Sequence, residues 1–346
     1  MLIISILLVA AVLIFLLIIH ELGHFVAAKK MGVIVEEFGL GYPPRIFGKK
    51  IKGTLYSLNL LPFGAFVRML GEEKEIKKKG SFSSKPVWQR AVIVFGGVAS
   101  FWLTAFLIFT LVASIWGMPR AVSDSFPGRA FVQVVHVAPN SPASRAGIEP
   151  GDIILGLDKI DDIQYFIKLY KGNEVVIKLK RGKKILEKHV VPRSLPPEGQ
   201  GPLGVGLVRV SKIKSPWPEA LWVGLKATTQ RTFFIIDSLK SLLSRKRTVG
   251  LQVVGPIGVG AMMSQALGAG IDNFLLFTAM IAIWLAIFNL LPIPALDGGR
   301  LLFLGIEALR RKPLPRRWEE RANGFFFLLL VVLMAFVTIK DIVKLF

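Results

Sequence analysis

The sequence predicts an α-helical membrane protein with four transmembrane helices, a membrane-associated β-hairpin and one inserted α+β domain. Three observations carry that expectation. The 346 residues are 53% hydrophobic with a mean hydropathy of +0.56, well above an ordinary soluble protein. Four stretches are long and apolar enough to span a bilayer. Between the second and third of them, 121–210 instead alternates short β-like runs with Pro- and Gly-rich turn signals.

The first span covers 1–30. Eighteen of the nineteen residues from Met1 to Ile19 are apolar, Ser5 being the exception. No basic stretch precedes the apolar run, so it reads as a spanning helix rather than a cleavable leader. His20-Glu21-Leu22-Gly23-His24 follows. A helix places residues i and i+4 one turn apart on one face, so the two imidazoles can grip one zinc ion. Glu21 then sits where it can take a proton from an activated water. Three ionisable groups at membrane depth are costly, and by default they mark function. A structural zinc site is normally closed by four protein ligands, often cysteines. This chain has no Cys, and its only other histidines, His136 and His189, lie in the soluble stretch. An open catalytic site of two His and one carboxylate fits better. The missing Cys also removes disulfides and a thiol nucleophile from consideration.

The loop 31–90 and the loop 309–322 set the orientation. Lys29–Arg90 carries thirteen Lys or Arg, and Arg310–Arg321 carries six. Both loops are therefore expected in the cytoplasm, with the termini and the long middle segment outside. The net charge of +21 is spread over loops rather than grouped in a nucleic-acid motif, which points to anionic lipid and not to nucleic acid. Within the first loop, Leu55, Tyr56, Leu58, Leu60 and Leu61 precede Pro62-Phe63-Gly64, and Ala65, Phe66, Val67 and Met69 follow. Two apolar runs about a Pro/Gly turn read as a β-hairpin. It is too apolar for an ordinary exposed loop, so it either enters the membrane beside the site or packs on a soluble subdomain. The run at 74–79 reads as a solvated charged tip.

The second span, 91–117, is uncharged through its apolar run. The region 211–272 contains apolar residues at helical spacing with Lys226, Arg231, Asp237 and Lys240 between them, an amphipathic helix at the membrane surface rather than a fifth span. The third segment, 273–308, is interrupted by Asn289, Pro292, Pro294 and Asp297. Such a broken helix is tolerated where it lines a protein or water-filled cavity. The fourth span is 323–346. A catalytic zinc commonly has a third protein ligand, and Asp297 is the one acidic residue between Phe274 and Ile306. Zn²⁺ with two neutral imidazoles and the carboxylates of Asp297 and Glu21 sums to zero charge, which suits a low dielectric. Read alone, Asp297 before two glycines is also plausible as a helix cap.

Two resemblances extend this reading. Ser144 to Ile154, with Ala146-Gly147-Ile148 and Gly151-Asp152-Ile153-Ile154 inside it, resembles the signature of bacterial PDZ domains, and Pro202-Leu203-Gly204-Val205 resembles their carboxylate-binding loop. The resemblance implies strand addition by an extended peptide or C-terminus, or a steric size filter. The His20–His24 motif and Asn289–Gly299 resemble the two signatures of site-2 intramembrane zinc metalloproteases, and Leu61–Glu72 resembles the reentrant β-loop of their bacterial regulator-of-sigma-E branch. This resemblance implies Zn²⁺ held by His20, His24 and Asp297, with Glu21 as general base. It implies Asn289 as a substrate-binding residue and an edge at Leu58–Val67 for an unwound substrate. The expected activity is cleavage of transmembrane segments of pre-trimmed single-span proteins, such as anti-sigma factors or remnant signal peptides, in a bacterial cytoplasmic membrane with the PDZ-like domain outside. Gly96-Gly97-Val98-Ala99-Ser100 stands where the family usually has Gly-Pro-x-x-Asn, a change expected to touch substrate handling more than zinc chemistry. Two rivals are a catalytically silent PDZ-bearing recruitment protein and a transporter. The intact Glu21 speaks against the first, and the lack of an internal repeat against the second.

Overall fold

The structure, a computed structural model, describes residues 2–72, 74, 76, 78–182, 184–244 and 255–343. The charged tip at 74–79 falls partly on residues 75 and 77, and the region 211–272 partly on 245–254, which lie outside the described residues. In chain order the elements are α1 (Leu2–Lys30), β1 (Val35–Ile51), β2 (Thr54–Met69), α2 (Val87–Ile115), β3 (Met118–Ala121), β4 (Phe131–Val137), α3 (Pro142–Arg145), β5 (Ile153–Ile154), α4 (Ile160–Leu169), β6 (Val175–Arg181), β7 (Lys184–Val190), β8 (Val205–Ile213), α5 (Trp217–Leu243), α6 (Pro256–Ala269), α7 (Ile271–Leu290), α8 (Asp297–Arg310) and α9 (Arg316–Val343). Among the described residues four helical stretches are long and apolar enough to cross a membrane: Leu7–Lys30, Val87–Ile115, Ile271–Leu290 and Arg317–Val343. The chain forms two compact units, and α2, α5, α6 and α7 each run from one into the other.

The first unit comprises Met1–Ile108, Gly224–Ser264 and Leu276–Phe346. In it α1 and α2 meet at paired glycines: a Cβ on Gly23 would lie 2.3 Å from the Gly96 carbonyl oxygen. Small residues allow this backbone approach, as they do between membrane helices generally. Ala28, Val35, Met69, Ile93 and Leu304 are buried together beside that crossing. The ribbon β1–β2 turns at Lys52-Gly53, both with positive φ (47° and 84°), the backbone of a type I′ hairpin. The turn expected at Pro62-Phe63-Gly64 is therefore not the hairpin turn. Those residues lie inside β2, where the strand changes sides: Val35–Leu40 of β1 partners both Leu55–Leu58 and Ala65–Met69. The cause is that Pro43-Pro44 and the lysines at 49, 50 and 52 disguise the outer half of β1 as a loop. Glu37, 3% exposed, is satisfied inside the ribbon by Ser57 Oγ at 2.6 Å and by Arg68. Farther along, α7 ends at Leu290, the chain passes Pro292 and Pro294 without helix, and α8 restarts at Asp297.

The second unit comprises Phe109–Val223 and Gln265–Leu275. Its six-stranded sheet runs β3-β8-β4-β5-β6-β7, with every adjacent pair antiparallel. Val132, Val134, Ile154, Ile163, Leu179 and Leu203 form its core. Ser141 caps α3 through the Ser144 N–H at 3.1 Å. Asp152, 1% exposed, grips Arg181 with both oxygens at 2.7 Å and accepts the Glu149 N–H at 2.9 Å. Asp152 raises the Arg181 guanidinium above its ordinary value, so that cation stays charged. Asp124 reaches the start of α4 and accepts the Asp161 N–H at 2.9 Å.

Candidate metal and catalytic site

All residues of the site belong to the first unit. On α1, His20 and His24 project from one face, and their Nε2 atoms lie 3.3 Å apart. The first residue of α8, Asp297, brings Oδ2 to 3.3 Å from His20 Nε2 and 3.4 Å from His24 Nε2. All three groups are largely buried, with His20 and His24 at 7% and 8% exposure. Among the described residues these three form the cluster able to hold a metal ion.

The fit can be tested on geometry. Zinc bonds of about 2.0–2.1 Å in a tetrahedron separate neighbouring ligand atoms by about 3.3 Å. The three observed separations match that edge. Asp297 Oδ2 is buried without a hydrogen-bond partner, and so is His20 Nδ1. An orphaned carboxylate oxygen aimed at two imidazole nitrogens is costly unless a cation joins them. His24 Nδ1 donates to the Ile93 carbonyl at 3.0 Å, which leaves the Nε2 lone pair for a metal. The set fits a zinc ion with room for a fourth, non-protein ligand.

The helix-cap alternative for Asp297 does not hold. The N-cap of α8 is Leu296, with no side-chain cap bond, and the Asp297 carboxylate turns to the histidines instead. Glu21 lies against the Val67 backbone of β2. Strand and base therefore share one locale. Asn289, in the last turn of α7, spends its Nδ2 on the Leu285 carbonyl at 2.9 Å.

Other supports carry weaker sequence signals. Gly97 of α2 faces the imidazoles so closely that a Cβ there would sit 2.3 Å from His24 Nε2. The Gly96-Gly97 departure thus bears on the metal cluster itself, whereas Ser100 Oγ is bonded to the Gly97 carbonyl at 2.6 Å. The fully buried Phe101 ring stacks on His20, with centroids 4.8 Å apart and planes 14° off parallel. Asn323 of α9 accepts the Ala295 N–H at 2.9 Å, anchoring a residue with φ of 76° just before Asp297. A lone Phe or Asn in an apolar run gives no sign of such a role; the paired glycines do. A cleft of about 800 Å³ opens beside Val67, Glu72 and Arg300.

The chain is similar to a known family and to several known proteins. Residues 8–333 match the family model described as Peptidase family M50. A Clostridium perfringens protein carrying a zinc metalloprotease description is 38% identical over 337 residues, covering 95% of each chain. A Nostoc protein with the same description is 30% identical over 359 residues, covering 99% of this chain and 96% of its own. The regulator of sigma-W protease RasP of Bacillus subtilis is 28% identical over 426 residues, covering 98% of both. Paired histidines and a carboxylate converging beside Glu21, in a sequence matched almost end to end, place the chain in peptidase family M50, the metalloproteases of the site-2 type.

Proposed function

We propose that the protein is a zinc-dependent intramembrane endopeptidase in which His20, His24 and Asp297 hold the metal and Glu21 is the general base. The observation that carries this is the trio of ligand-atom separations, 3.3, 3.3 and 3.4 Å, beside a half-buried glutamate. When bound, zinc would polarise the scissile carbonyl and make water acidic enough to ionise near neutral pH. Glu21 accepts the proton from water and returns it to the leaving amine. Ile93 and Phe101 hold the two imidazoles in place during both transfers.

The substrate is a membrane-spanning segment that must unwind, because a helix hides its carbonyls in i to i−4 bonds. Ala65–Met69 of β2 pairs with β1 along one edge. A substrate strand laid on the other edge regains backbone hydrogen bonds next to Glu21. The apolar side chains exposed on the ribbon, among them Leu58, Leu60 and Leu61, suit an element that enters the membrane. Asn289, in the last turn of α7 before the break that precedes α8, would hold the substrate chain.

The second unit supports a PDZ-like reading. Residues Val205–Val208 of β8 pair with β4 on one edge, while β3 covers only Val210–Ile213. A cavity of about 370 Å³ lies between that stretch and α4, with Lys168, Lys171 and the Gly201–Gly204 loop at its rim. A peptide C-terminus fits there by strand addition. The basic loops 31–90 and 309–322 support an extracytoplasmic position for this unit in a bacterial cytoplasmic membrane. The sigma-W regulator name of the Bacillus subtilis relative suggests pre-trimmed anti-sigma factors as a substrate class.

The test is cleavage of a single-span model substrate by the purified chain, beside Glu21→Gln, with zinc measured in both. Cleavage by wild type, loss of about a thousandfold or more in the variant, and equal zinc are the expected result. Equal cleavage by both removes Glu21 from the mechanism; zinc without cleavage by wild type favours the silent recruiter.

A further inference from the structure

The end of β2 is gripped by one side chain from the helix that carries Asp297. Arg300 lies three residues beyond Asp297 on α8. Its Nη1 donates to Glu72 Oε1 at 2.7 Å, and its guanidinium sits 5.6 Å over the Phe82 ring. Both partners are fastened to the last residues of the strand. The other Glu72 oxygen accepts the Met69 N–H at 3.3 Å, and the Glu72 N–H returns to the Met69 carbonyl at 3.2 Å. Phe82 donates its N–H to the Leu70 carbonyl at 2.7 Å and is 7% exposed. Arg300 is thus clamped between a carboxylate and a ring that both move with β2. A second pair, Arg90 with Glu307 at 2.5 and 3.0 Å, ties the far end of α8 to α2.

We propose that the Glu72–Arg300 pair is a positioning device that sets which peptide bond of a strand laid on β2 comes to Glu21. The proposal rests on the strand-addition reading above. Strand residues advance about 3.3 Å each and alternate in face. A slip of one residue between β2 and α8 therefore presents the neighbouring bond with every side chain reversed. A charged hydrogen bond from Arg300 to the Glu72 carboxylate resists such sliding better than apolar packing, because the bond is directional. Neither Glu72 nor Arg300 is offered as a metal ligand or proton carrier, so its effect is read in where cleavage falls as well as in how fast.

The experiment uses the full chain in detergent with a single-span peptide of known sequence, mapping fragments by mass spectrometry and recording zinc content. Variants are Glu72→Gln, Arg300→Gln, their double, and Arg300→Lys, with Glu21→Gln as control. Each Gln variant should keep its zinc, lose about tenfold or more in rate and spread cleavage over adjacent bonds. The double should be no worse than the poorer single, and Arg300→Lys should keep the main site. Losses that multiply in the double, or an unchanged cleavage site in every zinc-bound variant, overturn the pair as a positioning device. A wild type that cleaves nothing, or a Glu21→Gln that cleaves normally, sinks the parent reading first and this one with it. The two failures are therefore told apart by the control.

Discussion

Gly97 shows how much a missing side chain can decide. The histidine motif names its own ligands by i, i+4 spacing, and Glu21 comes with it. What the motif does not say is how two imidazoles fit against a neighbouring helix. The structure answers with hydrogen at Gly97 where a methyl would lie 2.3 Å from His24 Nε2. Gly97→Ala is expected to weaken zinc binding about tenfold to a hundredfold, the usual cost of disturbing the groups that orient ligands. Competition with a chromophoric chelator measures this, and unchanged affinity removes Gly97 from the site. Asp297 was half legible at this scale. Composition marked it as the acid of its span, but only the fold separates a ligand from a cap, because the difference is where the carboxylate points.

At the scale of elements, periodic and punctuated segments were readable and irregular ones were not. The four apolar helices follow from length and hydropathy alone. The outer half of β1 does not, since lysines and two prolines obscure its alternation, so the apolar pattern puts the hairpin turn at Pro62-Phe63-Gly64 whereas the structure has it at Lys52-Gly53. Likewise α6 lies in a region read as surface helix, with no charge pattern to separate it from α7. A prediction belongs to α4. The carboxyl of the half-buried Asp124 is held below the ordinary 3.8 by the Asp161 N–H it accepts, with the Ile160 backbone, Arg209 and Lys159 adding to the effect. A depressed folded value means the contribution is complete above about pH 4 and is lost as pH falls through that lower value. Hydrogen exchange across 160–169, corrected for intrinsic rates, should therefore speed up in acid. The slope should flatten in Asp124→Asn, which keeps an acceptor oxygen that does not titrate. Equal slopes in the two proteins would remove Asp124 as the cause.

For the whole molecule, charge distribution governs topology. The chain has no Cys, so single cysteines can be introduced without background. Glu187→Cys, exposed on β7, should react with a membrane-impermeant maleimide on intact cells, whereas Lys312→Cys between α8 and α9 should react only after permeabilisation. The opposite pattern would invert the orientation and put the Lys- and Arg-rich loop 31–90 outside. The same whole-chain view explains why the family match extends over residues 8–333 rather than stopping at the metal motif. His20, Glu21 and His24 come from α1, the neighbouring Val67 from β2 and Asp297 from α8, which are far apart in sequence.

By itself the sequence determined the apolar spans, the β-rich insert between the second and third of them, the histidine pair with its glutamate, and the one acid within the third apolar run. These are local properties: hydropathy over a helix length, spacing within one turn, and the scarcity of charge in an apolar run. Tertiary structure alone decided the Gly23–Gly96 crossing, the Phe101 and Ile93 supports for the imidazoles, the Asn323 anchor at Ala295, and the Arg300 clamp on the end of β2. Each of these joins residues tens to hundreds of positions apart through a single contact. Such a contact leaves no period and no composition bias, because its energy depends on where two backbones meet and not on what lies beside either residue in the chain.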